Sequence, residues 1–157
     1  MKAILLVSTL LLLAVSGLLS RQPSPPESAQ KEIQDLEVKI NASYAANDLT
    51  AYFAAYAPDF TQWLPEGRTD LAAYKQEWTR YIAAGNRIQS AEFSDLHIQV
   101  GPSQDAAVAS YLLHVKTKLA DGRITEEDNQ ETDVFFKREG VWKIVELHYS
   151  LLPKKAQ

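Results

Sequence analysis

The hydrophobic period of this chain changes at Gly85, and that change limits the fold more than any other feature. From Ile88 onward apolar and polar residues alternate with period two through four long runs, 88–100, 106–119, 123–138 and 141–150. Asp121-Gly122 and Glu139-Gly140 are two-residue hairpin signals, and Gly101-Pro102-Ser103 marks the remaining turn. At least the last three runs are therefore expected to form an antiparallel meander. Ahead of Gly85 the period is helical. Ser28 is the expected N-cap of a first helix carrying Ile33, Leu36, Ile40 and Tyr44. A second, short helix carries Leu49, Tyr52, Phe53 and Tyr56 and stops at Pro58. Phe60 to Leu64 alternates as a brief strand, turned by Pro65-Glu66-Gly67. Thr69-Asp70 opens a third helix with Leu71, Tyr74, Trp78, Tyr81 and Ile82 on one stripe. Three helices followed by four long strands plus a short one is an α+β layout, in which a curling sheet with helices on one face encloses a space.

Length and charge narrow the classes of function. A chain of 157 residues holds one ordinary domain. Lys and Arg number 16 against 20 Asp and Glu, a net charge of −4 that argues against a general nucleic-acid binder, which needs a basic face. Cysteine is absent, which excludes disulfide scaffolds, zinc-thiolate sites and thiol nucleophiles. No phosphate-binding loop, dinucleotide fingerprint or serine nucleophile elbow occurs, and no cofactor is expected.

The N-terminus reads as an address. Lys2 precedes a charge-free run from Ala3 to Ser20, dense in leucine, as in a secretory signal peptide. Val15 and Gly17 suit cleavage after Gly17, which would bring the net charge to −5 by removing Lys2. An uncleaved anchor over 3–20 is the alternative, and only then is a membrane a partner. Export to the periplasm or medium, a Pro-rich non-helical tether over 21–28 (Pro23, Pro25, Pro26), a domain over 29–153 and a tail over 154–157 are the expected organisation.

Acid–base candidates gather on the last two strands. With Glu139-Gly140 as a two-residue loop, Asp133 falls opposite Glu146, Glu131 opposite His148 and Phe135 opposite Ile144, all on one face. Two carboxylates that close repel, so one should hold its proton and be able to donate it, and Glu131 would orient the His148 ring. The plainer alternative is a solvated strand, since Glu126, Glu127, Asp128, Glu131 and Asp133 lie within eight residues. The opposite face would carry Val134, Phe136, Val145, Leu147 and Tyr149, an apolar row suited to self-association. Among the aromatic residues of the helices and first strand, Tyr52 and Trp63 are the candidates for lining a cavity, the rest for core packing. His97 and His114 lack a second ligand at metal spacing, and no metal site is expected.

The run Val141-Trp142-Lys143-Ile144-Val145-Glu146-Leu147-His148-Tyr149-Ser150, after Glu131-Thr132-Asp133-Val134-Phe135-Phe136, resembles the closing hairpin of SnoaL-like domains in the nuclear-transport-factor-2-like superfamily. It is closest in pattern to the association (hub) domain of calcium/calmodulin-dependent protein kinase. The resemblance implies a cone whose bent sheet wraps the first helix around a pocket open at one end, and it includes both isomerases and assembly modules. It also implies that Asp133 and Leu113 stand where the hub carries pocket arginines, so a neutral or cationic ligand is expected rather than an anion. The expected site is then Asp133, Glu146 and His148 for chemistry, with Tyr52, Trp63, Tyr111, Leu113, Glu131 and Ser150 around the ligand. Two functions follow: an exported pocket for a small neutral or apolar molecule, with or without isomerase-, cyclase- or dehydratase-type chemistry, or a non-catalytic self-association module. No reacting nucleophile is visible, which favours binding over turnover.

Overall fold

The computed structural model describes residues 25–64 and 66–153. The expected export signal, the first half of the expected tether and the tail lie outside the described residues. The helix α1 spans Pro25–Ala45. It starts three residues before the expected cap at Ser28, inside the stretch expected to be non-helical. Proline lacks an N–H, but the first turn of a helix has no partner for one, so prolines are accommodated there. One stripe of α1, with Ala29, Ile33 and Ile40, is buried against the sheet. Past its end, Asn47 adopts a left-handed conformation (φ 57°). Its side chain accepts from Ile88 N at 2.8 Å and donates to Ile88 O at 2.9 Å, which pins the helix end to the start of the sheet.

Asp48 caps α2 (Leu49–Phe53), accepting from Ala51 N at 3.0 Å. Tyr56 belongs to β1 (Tyr56–Leu64) rather than to α2. Pro58 interrupts that strand instead of ending the helix, and the pairing register shifts between Tyr56 and Thr61, where a proline cannot donate to a ladder. Gly67–Asp70, expected as the end of a turn and the opening of the third helix, is a short strand, β2, antiparallel to β1. Asp70 then caps α3 (Leu71–Ala83) through Ala73 N at 2.9 Å. Gly85, with φ 99°, ends it as a left-handed residue.

The long strands are β3 (Arg87–Val100), β4 (Ala106–Lys118), β5 (Ile124–Arg138) and β6 (Val141–Leu151). The sheet order is β2-β1-β6-β5-β4-β3, six strands with free edges at β2 and β3. All pairs are antiparallel except β1 with β6. Glu139 and Gly140 both have positive φ, as a two-residue mirror-image turn requires. The β4–β5 loop is one residue longer than expected: Leu119 N donates to Arg123 O, and Ala120, Asp121 and Gly122 make the turn.

One bulge decides the layout of the site. Pairing of β5 with β6 runs as expected from Arg138↔Val141 to Phe135↔Ile144, then shifts by one, so that Val134 faces Glu146 and Asp133 faces Leu147. Val145 is the extra residue. Because side chains alternate, every residue after Val145 changes face relative to expectation.

Candidate functional site

Between α1, α3 and the inner face of the sheet lies a cavity of about 710 Å³. Its helical wall is aromatic: Tyr44 from α1, with Trp78 and Tyr81 from α3. Tyr44 meets Trp78 edge-on at 5.1 Å between ring centres, and Trp78 meets Tyr81 at 5.4 Å in the same geometry. Deeper, Tyr52 hydrogen-bonds Tyr56 at 2.6 Å and Tyr74 at 2.9 Å, a chain of buried hydroxyls. The sheet supplies Gln62 from β1, Leu113 and Val115 from β4, Asn129 and Glu131 from β5, and Leu147 and Tyr149 from β6.

The cavity floor concentrates carboxyl groups around one tyrosine. The Tyr111 hydroxyl donates to Glu131 Oε1 at 2.8 Å and lies 3.1 Å from Asp133 Oδ2. Tyr111 and Glu131 are cross-strand partners, and Asp133 follows on the same face. Glu37 reaches the group from α1 and is 0% exposed, as is Asp133. Neither oxygen of Glu37 has a hydrogen-bond partner and Asp133 Oδ1 has none, so two carboxyls are buried together without enough donors to stabilise both as anions. Burial, reinforced by the charge of Glu131, pushes Glu37 up to about 8. Burial raises Glu131 to about 7, opposed by the Tyr111 hydrogen bond. Asp133 is raised by burial and then by the neighbouring charges of Glu37 and Glu131. The floor therefore holds protons at neutral pH that exposed carboxyls would have lost.

Two amides nearby are unpartnered. Gln62 is 1% exposed and neither its Oε1 nor its Nε2 has a hydrogen-bond partner, and the Oδ1 of buried Asn129 lacks one too. Native proteins leave few such groups, because each forfeits its hydration without compensation.

The expected site residues are partly reunited. Tyr52, Leu113, Glu131 and Ser150 line the cavity, and Tyr111 anchors its floor. The Asp133, Glu146 and His148 constellation is not assembled. Asp133 lies behind the floor, Glu146 faces Val134 on the outer side, and exposed His148 reaches only the cavity rim opposite Thr132. Trp63 is 48% exposed beside Arg68 and His148 and lines nothing. Leu147 and Tyr149, expected on the outer face, are in the cavity wall. The Val145 bulge accounts for all of the β6 corrections. His114 sits on the outer face with Asp128 at 2.8 Å, and among the described residues no group of three His, Asp or Glu converges as a metal would require.

Sequence reasoning missed Glu37, Asn41 and Gln62, although their positions are legible. Glu37 and Asn41 fall four residues apart on the Ile33–Tyr44 stripe, and Gln62 shares the parity of Phe60 and Leu64.

The sequence matches the family model described as SnoaL-like domain over residues 33–154. The fold matches the association domain of C. elegans CaMKII with a TM-score of 0.65 and 18% identity, covering 80% of this chain and 97% of that one. The CaMKII hub homology domain of Chlamydomonas reinhardtii matches at 0.66 and 22% identity, over 80% and 99% of the two chains. An NTF2-like protein of unknown function in nutrient uptake from Rhodospirillum rubrum matches at 0.66 and 18%, over 77% and 98%. No curated protein matches the sequence.

Proposed function

This chain belongs to the SnoaL-like domain family, and from that membership and the cavity we propose that it binds a small, largely apolar, uncharged or cationic molecule between its helices and its sheet. One observation carries the reading. A buried amide, Gln62, stands without partners in the wall of an aromatic cavity of about 710 Å³, where a ligand's polar group would satisfy it. Binding rather than turnover is favoured because Glu146 and His148 point away from Asp133 instead of forming an acid–base set with it. Leu113→Trp, which fills the cavity and leaves every carboxyl in place, should abolish uptake of the neutral dye Nile red while circular dichroism stays unchanged. Undiminished dye binding by that variant would contradict the reading.

Self-association is the second reading, favoured by the association and hub domains among the structural relatives. The outer sheet face keeps Val134 and Phe136 of the expected row, and adds Leu112. Phe136 is 40% exposed. A second copy covering that face would remove this apolar area from water. Sedimentation of Phe136→Lys decides: an oligomer should fall to a monomer, and unchanged mass would sink the reading. Export completes the proposal. The charge-free run from Ala3 to Ser20 supports it, and the intact mass of the protein recovered from its own cells should lack the residues up to Gly17.

A further inference from the structure

The groups lining the cavity are charged in one sense only. Glu131 lies on the floor and Glu66, Glu77 and Glu127 at the mouth, while among the described residues no lysine or arginine lines it. His148 at the rim is the sole basic side chain there. All four glutamates line the same cavity as Tyr149, so they surround one volume rather than four separate patches. An acidic cluster alone would be a solvated surface. Here it is joined by the aromatic wall of Tyr44, Trp78 and Tyr81, with rings set edge-on, and by the amides of Gln62 and Asn129, more than nine-tenths buried with side-chain oxygens that accept from nothing.

The rings, the carboxylates and the free amide oxygens select the same chemistry. Aromatic walls attract organic cations through the negative faces of their rings. A half-buried carboxylate makes its strongest hydrogen bond to a charged N–H donor, which an ammonium supplies and an alcohol does not. The free oxygens of Gln62 and Asn129 need donors, and an ammonium carries several. A carboxylate ligand would gain only the unpartnered Gln62 Nε2 as a donor, and it would enter past three glutamates and meet a fourth.

We propose that the cavity is a receptor for organic amines, taking the apolar body against Tyr44, Trp78 and Tyr81 and the ammonium head against Glu131, Gln62 and Asn129. This rests on the cavity reading above and names its ligand class. The mouth glutamates attract the cation before it enters, which raises the association rate at low salt. Burial raises both Glu37 and Asp133 behind Glu131 and so favours their neutral forms, which leaves Glu131 as the carboxylate that faces the ligand.

Three probes of one skeleton test it: tryptamine, tryptophol and indole-3-acetate, titrated calorimetrically into the full chain at about pH 8, where Glu131 is ionised. Tryptamine should bind about tenfold or more tighter than tryptophol, and indole-3-acetate should not bind. Glu131→Gln keeps the Tyr111 contact and should reduce tryptamine to the affinity of tryptophol, leaving tryptophol unchanged. The triple variant Glu66→Gln, Glu77→Gln, Glu127→Gln changes only exposed positions and should slow tryptamine association at low salt alone. Tryptophol or indole-3-acetate binding as tightly as tryptamine overturns the amine inference while leaving the cavity reading intact. Exclusion of all three probes and of Nile red overturns both.

Discussion

The two ends of the α1–sheet interface use the same geometry and opposite chemistry. At one end Ala29 and Ile33 of α1 pack with Phe60, Phe135, Trp142 and Ile144, all buried. The polar groups present there are satisfied: Trp142 Nε1 donates to Glu32 at 2.8 Å, and Lys137 pairs with the same carboxyl at 2.7 Å. One and two turns along the same helix, Glu37 and Asn41 replace the apolar residues, and the sheet answers with Asp133, Glu131, Asn129 and Gln62. A folding chain gains nothing from that exchange, because buried carboxyls and unpartnered amides lose hydration. The core end is arranged for stability and the cavity end against it. Such local violations mark functional sites in otherwise consistent sequences.

Substitutions should separate the two ends. The largest loss belongs to the core: Phe135→Ala removes a fully buried ring and should lower unfolding free energy by about 3–5 kcal/mol in denaturant titrations. At the cavity end the loss depends on pH. Glu37 and Glu131 have folded values of about 8 and about 7 against 4.5 in an unfolded chain. Above 4.5 the unfolded state releases these protons while the folded state retains them, so stability is fully present below that value and falls as pH rises through 7 and 8. Unfolding free energy should therefore drop between about pH 5 and pH 8 by an amount on the order of several kcal/mol, read as a falling melting temperature. Glu37→Gln should flatten that slope, and a slope left unchanged would place the proton uptake elsewhere. Gln62→Leu should raise stability by about 1–3 kcal/mol, since it deletes two unpartnered polar atoms, and should weaken ligand binding at the same time. The smallest effect belongs to the outer face, where Phe136→Lys should alter monomer stability by no more than about 0.5 kcal/mol and be read in native mass.

The contrast also explains which parts were legible in the sequence. The long strands and three helices follow from the switch from helical to two-residue periodicity, and Asp70 as a cap follows from its place ahead of Leu71. The start of α1 did not follow, because Pro25 reads as a breaker unless its position in the first turn is known. The inner face of β6 did not follow either. Trp142 and Ile144 point inward on even positions, whereas Leu147 and Tyr149 do so on odd ones. That change of parity at Val145 is the trace of the bulge, visible once both halves are compared. A constant register carried Glu146 and His148 onto the wrong face. Glu37 was hidden for another reason: a charged residue on an apolar stripe reads as a helix surface until the sheet opposite is known to be acidic too.

Carboxyl-carbon NMR titration of the full chain tests the cavity end most directly. The account predicts one glutamate resonance titrating near 7, assigned to Glu131 by its absence in Glu131→Gln, and another near 8, lost in Glu37→Gln. Tryptamine should move the first downward, because a bound cation favours the ionised carboxyl. If every carboxyl instead titrates below about 5, as in exposed side chains, the floor is open to water and the account of this cavity is wrong.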